Sequence, residues 1–311
     1  MTRRRLFAAV ALALCAVCAA LFLVGERPAS TTGRWLREAG LEPHFLNVGG
    51  VRLRFVRQGQ GPPLLLLHGF ASSIYSWSGV LPELARDHDV IAFDFPDFGE
   101  SDRPEDLRFD QLPESALGLM RQLGVERASV AGSSLGGAVA VAIAAQHPER
   151  VERLVLIDSA GFNLAKRDRP GLLRLVETVP LGVLERLPLR RSLTRLGLRQ
   201  VFFDPTKVSE ERVEEYLAPL QRPGSLQSMR SLLASRSAFG DSFADFARRV
   251  SARTLILWGR EDRWIPVAQA DLLAAAIPGA RTVVLRGCGH VPQEERPAET
   301  AALIRSFLAA P

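Results

Sequence analysis

Cysteine is scarce in this 311-residue chain: Cys15, Cys18 and Cys288 are the only three. Two lie in an N-terminal apolar run and the third is far away. That spacing makes neither a disulfide framework nor a zinc site. Histidine is sparse too, with five residues, no two of them close in sequence. No metal-ligand cluster is written into the sequence, and neither a metal nor another cofactor is expected. A large charge imbalance is also missing. The net charge is +5, and Arg3, Arg4 and Arg5 alone supply three positive charges. The remainder is close to neutral, so the isoelectric point near 9.7 does not point to a nucleic-acid partner. Outside the N-terminus there is no internal repeat and no low-complexity tract.

What is present is an ordinary globular balance, 47% apolar and 23% charged, in a chain long enough for one large α/β domain or two small ones. The N-terminus is the exception. Arg3 to Arg5 precede an uncharged run from Leu6 to Val24. At about 1.5 Å per helical residue this run spans on the order of 28 Å, close to a bilayer core. A cleaved signal peptide needs a shorter apolar core and small residues at the cut. Here Leu21-Phe22-Leu23-Val24 continue past the best small-residue site, Ala20. Residues 1–25 are therefore expected as an uncleaved single-pass anchor, with secretion after cleavage as the alternative. The arginines are expected to stay cytoplasmic, which places the bulk of the chain on the far, periplasmic side.

Residues 26–40 read as a polar linker. Phe45 to Val56 alternates around Gly49-Gly50, as in a β-hairpin. Leu64–Leu67 is a continuous apolar run of the kind found in strands buried on both faces. Val90–Asp94, Ala128–Ala131, Leu154–Asp158, Thr254–Trp258 and Thr282–Leu285 are further strands. Between them lie helical patterns at Trp77–Arg86, Pro113–Leu123, Leu135–Gln146, Val267–Ala276 and Ala298–Leu308. This alternation predicts an α/β fold with a mostly parallel, doubly wound sheet and an antiparallel start. It breaks once. Residues 161–239 hold no buried strand, and Pro170, Pro180, Pro188, Pro205, Pro219 and Pro223 cut them into short helices. They are expected as a helical cap over a core of residues 41–160 and 240–311.

The motif that carries chemistry is Gly132-Ser133-Ser134-Leu135-Gly136, between a strand and a helix. A serine at the apex of so tight a turn presents its oxygen outward, and the flanking glycines leave room for the turn. Ser134 is the expected nucleophile. His68-Gly69-Phe70 follows an earlier strand. A backbone N–H from this loop, that of Phe70, and the N–H of Leu135 are the expected oxyanion donors, each worth about 3–4 kcal/mol to a transition state. His290, after the last strand, is the expected base. His68 reads as a buried structural group in the oxyanion loop, and His44, His88 and His147 sit at less suitable positions. Asp262, three residues past Gly259 at a strand end, is the expected orienting acid. Glu261 beside it and Asp158 at another strand end are alternatives. Asp94 and Asp97 read as shaping the turn after their strand. Together these groups would perform acyl transfer: His290 takes the Ser134 proton, Asp262 holds the imidazole, and water cleaves the acyl-enzyme.

The His68-Gly69 loop, the Asp94–Ser101 turn, the Ser134 elbow, Trp258–Pro266 and Gly289-His290 make residues 42–310 resemble the α/β-hydrolase superfamily. The anchor, His68-Gly69-Phe70, Gly136-Gly137 after the nucleophile and Arg296-Pro297 make the chain look like membrane-anchored monoacylglycerol lipases and carboxylesterases. It is also similar to serine hydrolases that cleave carbon–carbon bonds of ring-fission products. Asp97 departs from the pattern, standing where many relatives have glycine. Dehalogenases and epoxide hydrolases of this fold use an aspartate nucleophile, and Ser134 argues against both. The resemblance implies ester hydrolysis on an acyl or lipid substrate as the first expectation. Carbon–carbon cleavage and a triad-retaining ligand receptor are the alternatives. Arg186, Arg190, Arg191, Arg195 and Arg199 in the cap would face either anionic lipid or water.

Overall fold

The computed structural model describes residues 33–163, 179 and 190–310. One sheet of eight strands organises them, in the order β1-β2-β4-β3-β5-β6-β7-β8. The strands are β1 (His44–Val48), β2 (Val51–Gln58), β3 (Pro63–Leu67), β4 (Asp89–Phe93), β5 (Ala128–Ser133), β6 (Val151–Ile157), β7 (Arg253–Gly259) and β8 (Arg281–Leu285). β1 pairs antiparallel with β2, and β2 with β4. All later pairs are parallel. The hairpin and the doubly wound sheet expected from the alternation are both there.

Period-two alternation splits each central strand between two cores. Leu65, Leu67, Ile91, Phe93, Val130, Leu154 and Leu156 join one cluster. Their neighbours Leu64, Leu66, Val90, Ala92, Ala131, Val155 and Ile157 join the other. This is why the strands read as unbroken apolar runs. Helices cover both faces. They are α1 (Arg34–Glu38), α2 (Leu81–Leu84), α3 (Gln111–Gln122), α4 (Leu135–Gln146), α5 (Arg190–Val201), α6 (Glu210–Gln221), α7 (Ser225–Arg248), α8 (Ala268–Ala276), α9 (Pro292–Glu295) and α10 (Pro297–Ala309). α3, α4, α7 and α8 contribute to the first cluster. α1, α2 and α10 contribute to the second. α4 runs Leu-Gly-Gly-Ala-Val-Ala-Val-Ala-Ile-Ala-Ala with every one of these residues buried, so it packs on the sheet without a polar face.

Three expectations need correction. The linker assigned to residues 26–40 contains α1, whose Trp35 and Leu36 are buried. Trp35 meets the Tyr75 ring edge-on at 6.0 Å. Two large apolar side chains in a polar stretch were enough to fold a turn of helix onto the core. The helix expected at Trp77–Arg86 is instead a 3-10 turn at Ile74–Trp77 followed by the short α2, with Pro82 in its first turn. The boundary placed between residues 239 and 240 falls inside α7. That helix continues because Met229 and Leu232, before the boundary, and Phe243 and Ala247, after it, share one core cluster.

Pro170, Pro180 and Pro188 of the expected cap lie outside the described residues, as do residues 1–25 of the expected anchor. Among the described residues no helix is long and apolar enough to cross a membrane. The basic cap residues are partly neutralised. Arg191 pairs with Glu210 and Glu214, and Arg195 with Glu210. Those two guanidinium groups hold the Glu210 carboxyl at about 2. Arg199 is exposed, Arg186 is outside the described residues, and the Arg190 side chain is not among those described.

Candidate active site

Ser134 sits between β5 and α4 with φ +52° and ψ −116°, a conformation that L residues rarely adopt. Neighbouring backbone leaves the turn no slack. A Cβ on Gly132 would lie 2.2 Å from the Gly136 carbonyl oxygen, and one on Gly136 would lie 2.1 Å from the Leu67 carbonyl oxygen. Only glycine permits this approach at both places. The Ser134 N–H donates to the Ile157 carbonyl at 2.9 Å, and the Ser134 carbonyl accepts from Ala160 N–H at 2.9 Å. The strained turn is thus held by the β6 strand end as well as by its own helix. The Ser134 side chain lines a cavity together with Phe70, Leu198, Val201, Trp264 and His290, among others.

Leu135 opens α4, so its N–H has no carbonyl one turn back to bind. Gly69 brings the β3 loop against the serine: a Cβ there would stand 3.3 Å from Ser134 Cβ. Phe70 lines the cavity. His68 fixes this loop from below. It is fully buried, its Nε2 accepts the Phe95 N–H at 3.0 Å, and its Nδ1 lies 2.8 Å from the Gly69 carbonyl oxygen. That pattern requires the proton on Nδ1. Burial pushes the His68 pKa down, keeping the ring neutral. Asp94 anchors the facing loop, accepting from Ile74 N–H at 2.8 Å, Glu100 N–H at 2.9 Å and Arg54 Nε at 2.5 Å.

His290 and Asp262 meet, with Nδ1 2.7 Å from Oδ2. Both are buried, at 4% and 8% exposure. The other Asp262 oxygen accepts the N–H groups of Trp264 at 2.7 Å and Ile265 at 3.0 Å. The carboxylate is therefore clamped, with one oxygen committed to the loop and the other to the histidine. The Trp264 ring stacks on the imidazole at 5.9 Å and 22°. Ser134 and His290 line the same cavity without a hydrogen bond between them. Glu261 points elsewhere, accepting Cys288 N–H at 3.0 Å. The His290 loop is tied to the cap: His290 N–H donates to the Val201 carbonyl at 2.7 Å. Glu295 accepts from Gly289, Phe203 and Asp204 N–H groups at 2.7, 3.1 and 2.7 Å.

Asp97, the departure noted in the sequence, takes φ +75°. Aspartate tolerates that region better than most residues, so the turn keeps its shape. The Asp97 carboxyl lies 3.1 Å from Arg103 Nε and is pushed up to about 7, chiefly by burial. It does not line the cavity.

Sequence reasoning did not find the polar wall of the cavity. Ser72 and Tyr216 share a hydrogen bond of 3.2 Å, and the Tyr216 hydroxyl donates to Glu294. Glu294 also accepts from Arg212 Nε at 3.1 Å. Burial pushes the Glu294 carboxyl up. Glu294 and Arg212 are 82 positions apart, and no local motif links them. Asp158 is an alternative acid on the sequence alone. It is fully buried, accepts Gly259 N–H at 3.0 Å, and has Asp262 as a neighbour. Ligand-type atoms of Asp158, Asp262 and His290 all lie within 4.8 Å of one another.

A family model described as the alpha/beta hydrolase fold matches residues 62–297. The chain belongs to the α/β-hydrolase family. Within it, a 2-hydroxymuconate semialdehyde hydrolase from a Pseudomonas species is 35% identical over 269 residues, which is 84% of this chain and 91% of that protein. A meta-cleavage product hydrolase from Pseudomonas fluorescens superposes with a TM-score of 0.75 at 27% identity. The match covers 85% of this chain and 97% of that one. A membrane phospholipase A superposes with a TM-score of 0.76 at 27% identity, over 98% of both chains. This α/β-hydrolase is thus a hydrolytic enzyme by kinship, with relatives that act on different bonds.

Proposed function

We propose that this α/β-hydrolase is a serine hydrolase that cleaves a bond to a carbonyl carbon through an acyl-enzyme on Ser134. The observation that carries the reading is the clamped Asp262–His290 pair, at 2.7 Å, facing one cavity with an outward serine on a strained turn. His290 accepts the Ser134 proton as the oxygen attacks. Asp262 keeps the imidazole proton on Nδ1 and stabilises the imidazolium. The Phe70 and Leu135 N–H groups receive the developing oxyanion. His290 then returns the proton to the leaving group and activates the water that frees the acyl product.

Two readings differ in the leaving atom. Hydrolysis of a carbon–carbon bond comes first on kinship, because the relatives named as 2-hydroxymuconate semialdehyde and meta-cleavage product hydrolases favour it. This reverses the order expected from the sequence. Ester cleavage is the second reading, on two specific observations. The cavity carries the Glu294 carboxyl, and Arg212 beside it is engaged with Glu294 and the Lys207 carbonyl. Such a wall suits an uncharged ester better than a substrate bearing a carboxylate. The match to a membrane phospholipase A over 98% of this chain also supports ester cleavage. One assay separates the readings. The purified protein is given a 2-hydroxy-6-oxo-dienoate and, separately, 4-nitrophenyl and monoacylglycerol esters of increasing chain length. A kcat/KM at least 100-fold higher on the dienoate (about 2.7 kcal/mol) supports the first reading, and the opposite ratio supports the second. If neither is turned over and a fluorophosphonate fails to label Ser134, the enzyme reading falls.

A further inference from the structure

The catalytic reading uses one acid, yet two are buried behind His290. Asp158 directly follows β6 at φ +42°, a strained backbone position for a residue other than glycine. Its N–H continues the sheet by donating to Leu257 at 3.0 Å, so the strain sits at the side-chain-bearing turn. One carboxyl oxygen accepts the Gly259 N–H at 3.0 Å. The other is fully buried, and among the described residues no N–H or hydroxyl donor reaches it. Its carboxyl neighbour is Asp262, with carboxyl oxygens of the two acids within 4.8 Å of each other and of a His290 ring nitrogen. Two facing carboxylates repel, and neither has a proton to give. The contact becomes a bond only when one carboxyl is protonated.

Asp262 is the poorer candidate to hold that proton, because two backbone N–H groups and His290 all donate to it. Asp158 receives a single N–H. The other ionisable groups around Asp158 work in the same direction. Asp262 comes from the loop after β7. Glu295 of α9 and Cys288 come from the segment after β8, which also carries His290. Burial and these acids push the Asp158 carboxyl well above the usual carboxylate range. We propose that Asp158 is a positioning residue that donates a carboxyl O–H hydrogen bond to Asp262 and holds its carboxylate against His290. Asp262 then has each of its donors in place: the loop amides, the histidine and Asp158. A second carboxylate here would instead raise the basicity of His290 and leave it protonated, unable to accept the serine proton.

The inference rests on the triad reading of the site, and its test separates the two. Asp158→Asn keeps a neutral N–H donor and tolerates positive φ. Asp158→Gly removes the donor and also tolerates positive φ. Three quantities are compared with wild type: the fluorophosphonate labelling rate of Ser134, steady-state kcat and KM on 4-nitrophenyl butyrate or the dienoate, and the imidazole titration of His290 by 15N NMR. Asp158→Gly is expected to lower the labelling rate and kcat about 10- to 100-fold. KM should hold, since Asp158 does not line the cavity. Asp158→Asn is expected to restore most of that loss and leave the His290 midpoint unmoved. The proposal is overturned if Asp158→Asn lowers the His290 midpoint by about 1–3 pH units, which would mean an ionised Asp158. Wild-type rates in Asp158→Gly overturn it as well. So does activity in Asp262→Asn that disappears only when Asp158 is also replaced. The NMR titration reads the proton on Asp158 whether or not any substrate is turned over.

Discussion

Replacing Asp262 by asparagine is the sharpest perturbation of this site, because the surrounding donors dictate how the new side chain must sit. One Asp262 oxygen accepts two backbone N–H groups, from Trp264 at 2.7 Å and Ile265 at 3.0 Å. If the asparagine NH₂ were turned to that side, donor would face donor twice, and two hydrogen bonds would be lost at about 1–3 kcal/mol each. The amide oxygen therefore stays with the loop, and the NH₂ faces His290 Nδ1, now at the position held by an acceptor 2.7 Å away. His290 must accept there, so its proton moves to Nε2. That is the nitrogen that has to take the serine proton. Forcing the wrong tautomer costs about 10⁴ in kcat, or about 5.4 kcal/mol at 1.36 per decade. KM should change little, because Asp262 does not line the cavity. The assay pairs steady-state kinetics on the preferred substrate with fluorophosphonate labelling. A 15N spectrum that shows His290 protonated on Nε2 would check the tautomer directly. A kcat within tenfold of wild type, or a loss carried by KM, would refute the reasoning and remove Asp262 from the orienting role.

Ser134→Ala should lower kcat about 10⁶-fold and abolish covalent labelling while leaving urea unfolding nearly unchanged; residual turnover near wild type would remove the serine from the mechanism. Leu65→Ala, at a fully buried strand position, should cost about 2–5 kcal/mol, read as a lower urea midpoint at constant slope. Asp97→Asn should alter the pH dependence of stability. The folded pKa of Asp97 is raised to about 7 from 3.8, so its contribution is fully present below about pH 4 and is lost as pH rises through about 7. The melting temperature of Asp97→Asn, taken relative to wild type, should therefore rise between pH 4 and pH 8, and a flat difference would contradict the buried-acid argument. Gly136→Ala should fail to fold or lose most of its stability, since its Cβ would stand 2.1 Å from a backbone oxygen, and a near-normal melting temperature would refute that steric reading.

Much of this molecule is legible along the chain because its central strands are short and buried on both faces. Leu64 to Leu67 alternates between two cores, so each residue must be apolar, and the run announces itself. The elbow is legible for a local reason as well: two backbone approaches near 2 Å allow only glycine at Gly132 and Gly136. Ser134, Asp262 and His290 each follow a strand, so their order along the chain already placed them at one edge of the sheet. α1 was missed because the average polarity of residues 26–40 hides Trp35 and Leu36. The boundary after residue 239 falls inside a helix because α7 packs Met229 and Leu232 before it and Phe243 and Ala247 after it into the same core cluster.

Residue order by itself determined the strands, the two-sided core and the strained serine turn, because each depends on neighbours within a few positions. Tertiary structure alone decided what surrounds them. Asp158 meets Asp262 only because β6 and β7 pair in parallel with Ile157 beside Leu257, which carries two strand ends, and two acids, to one spot. Tyr216, Arg212 and Glu294 form one wall only because α6 lies over α9. Pairing and packing between distant segments set the surroundings of the acids and the polarity of the cavity. These depend on burial and on opposing charge, and no local pattern in the chain encodes either.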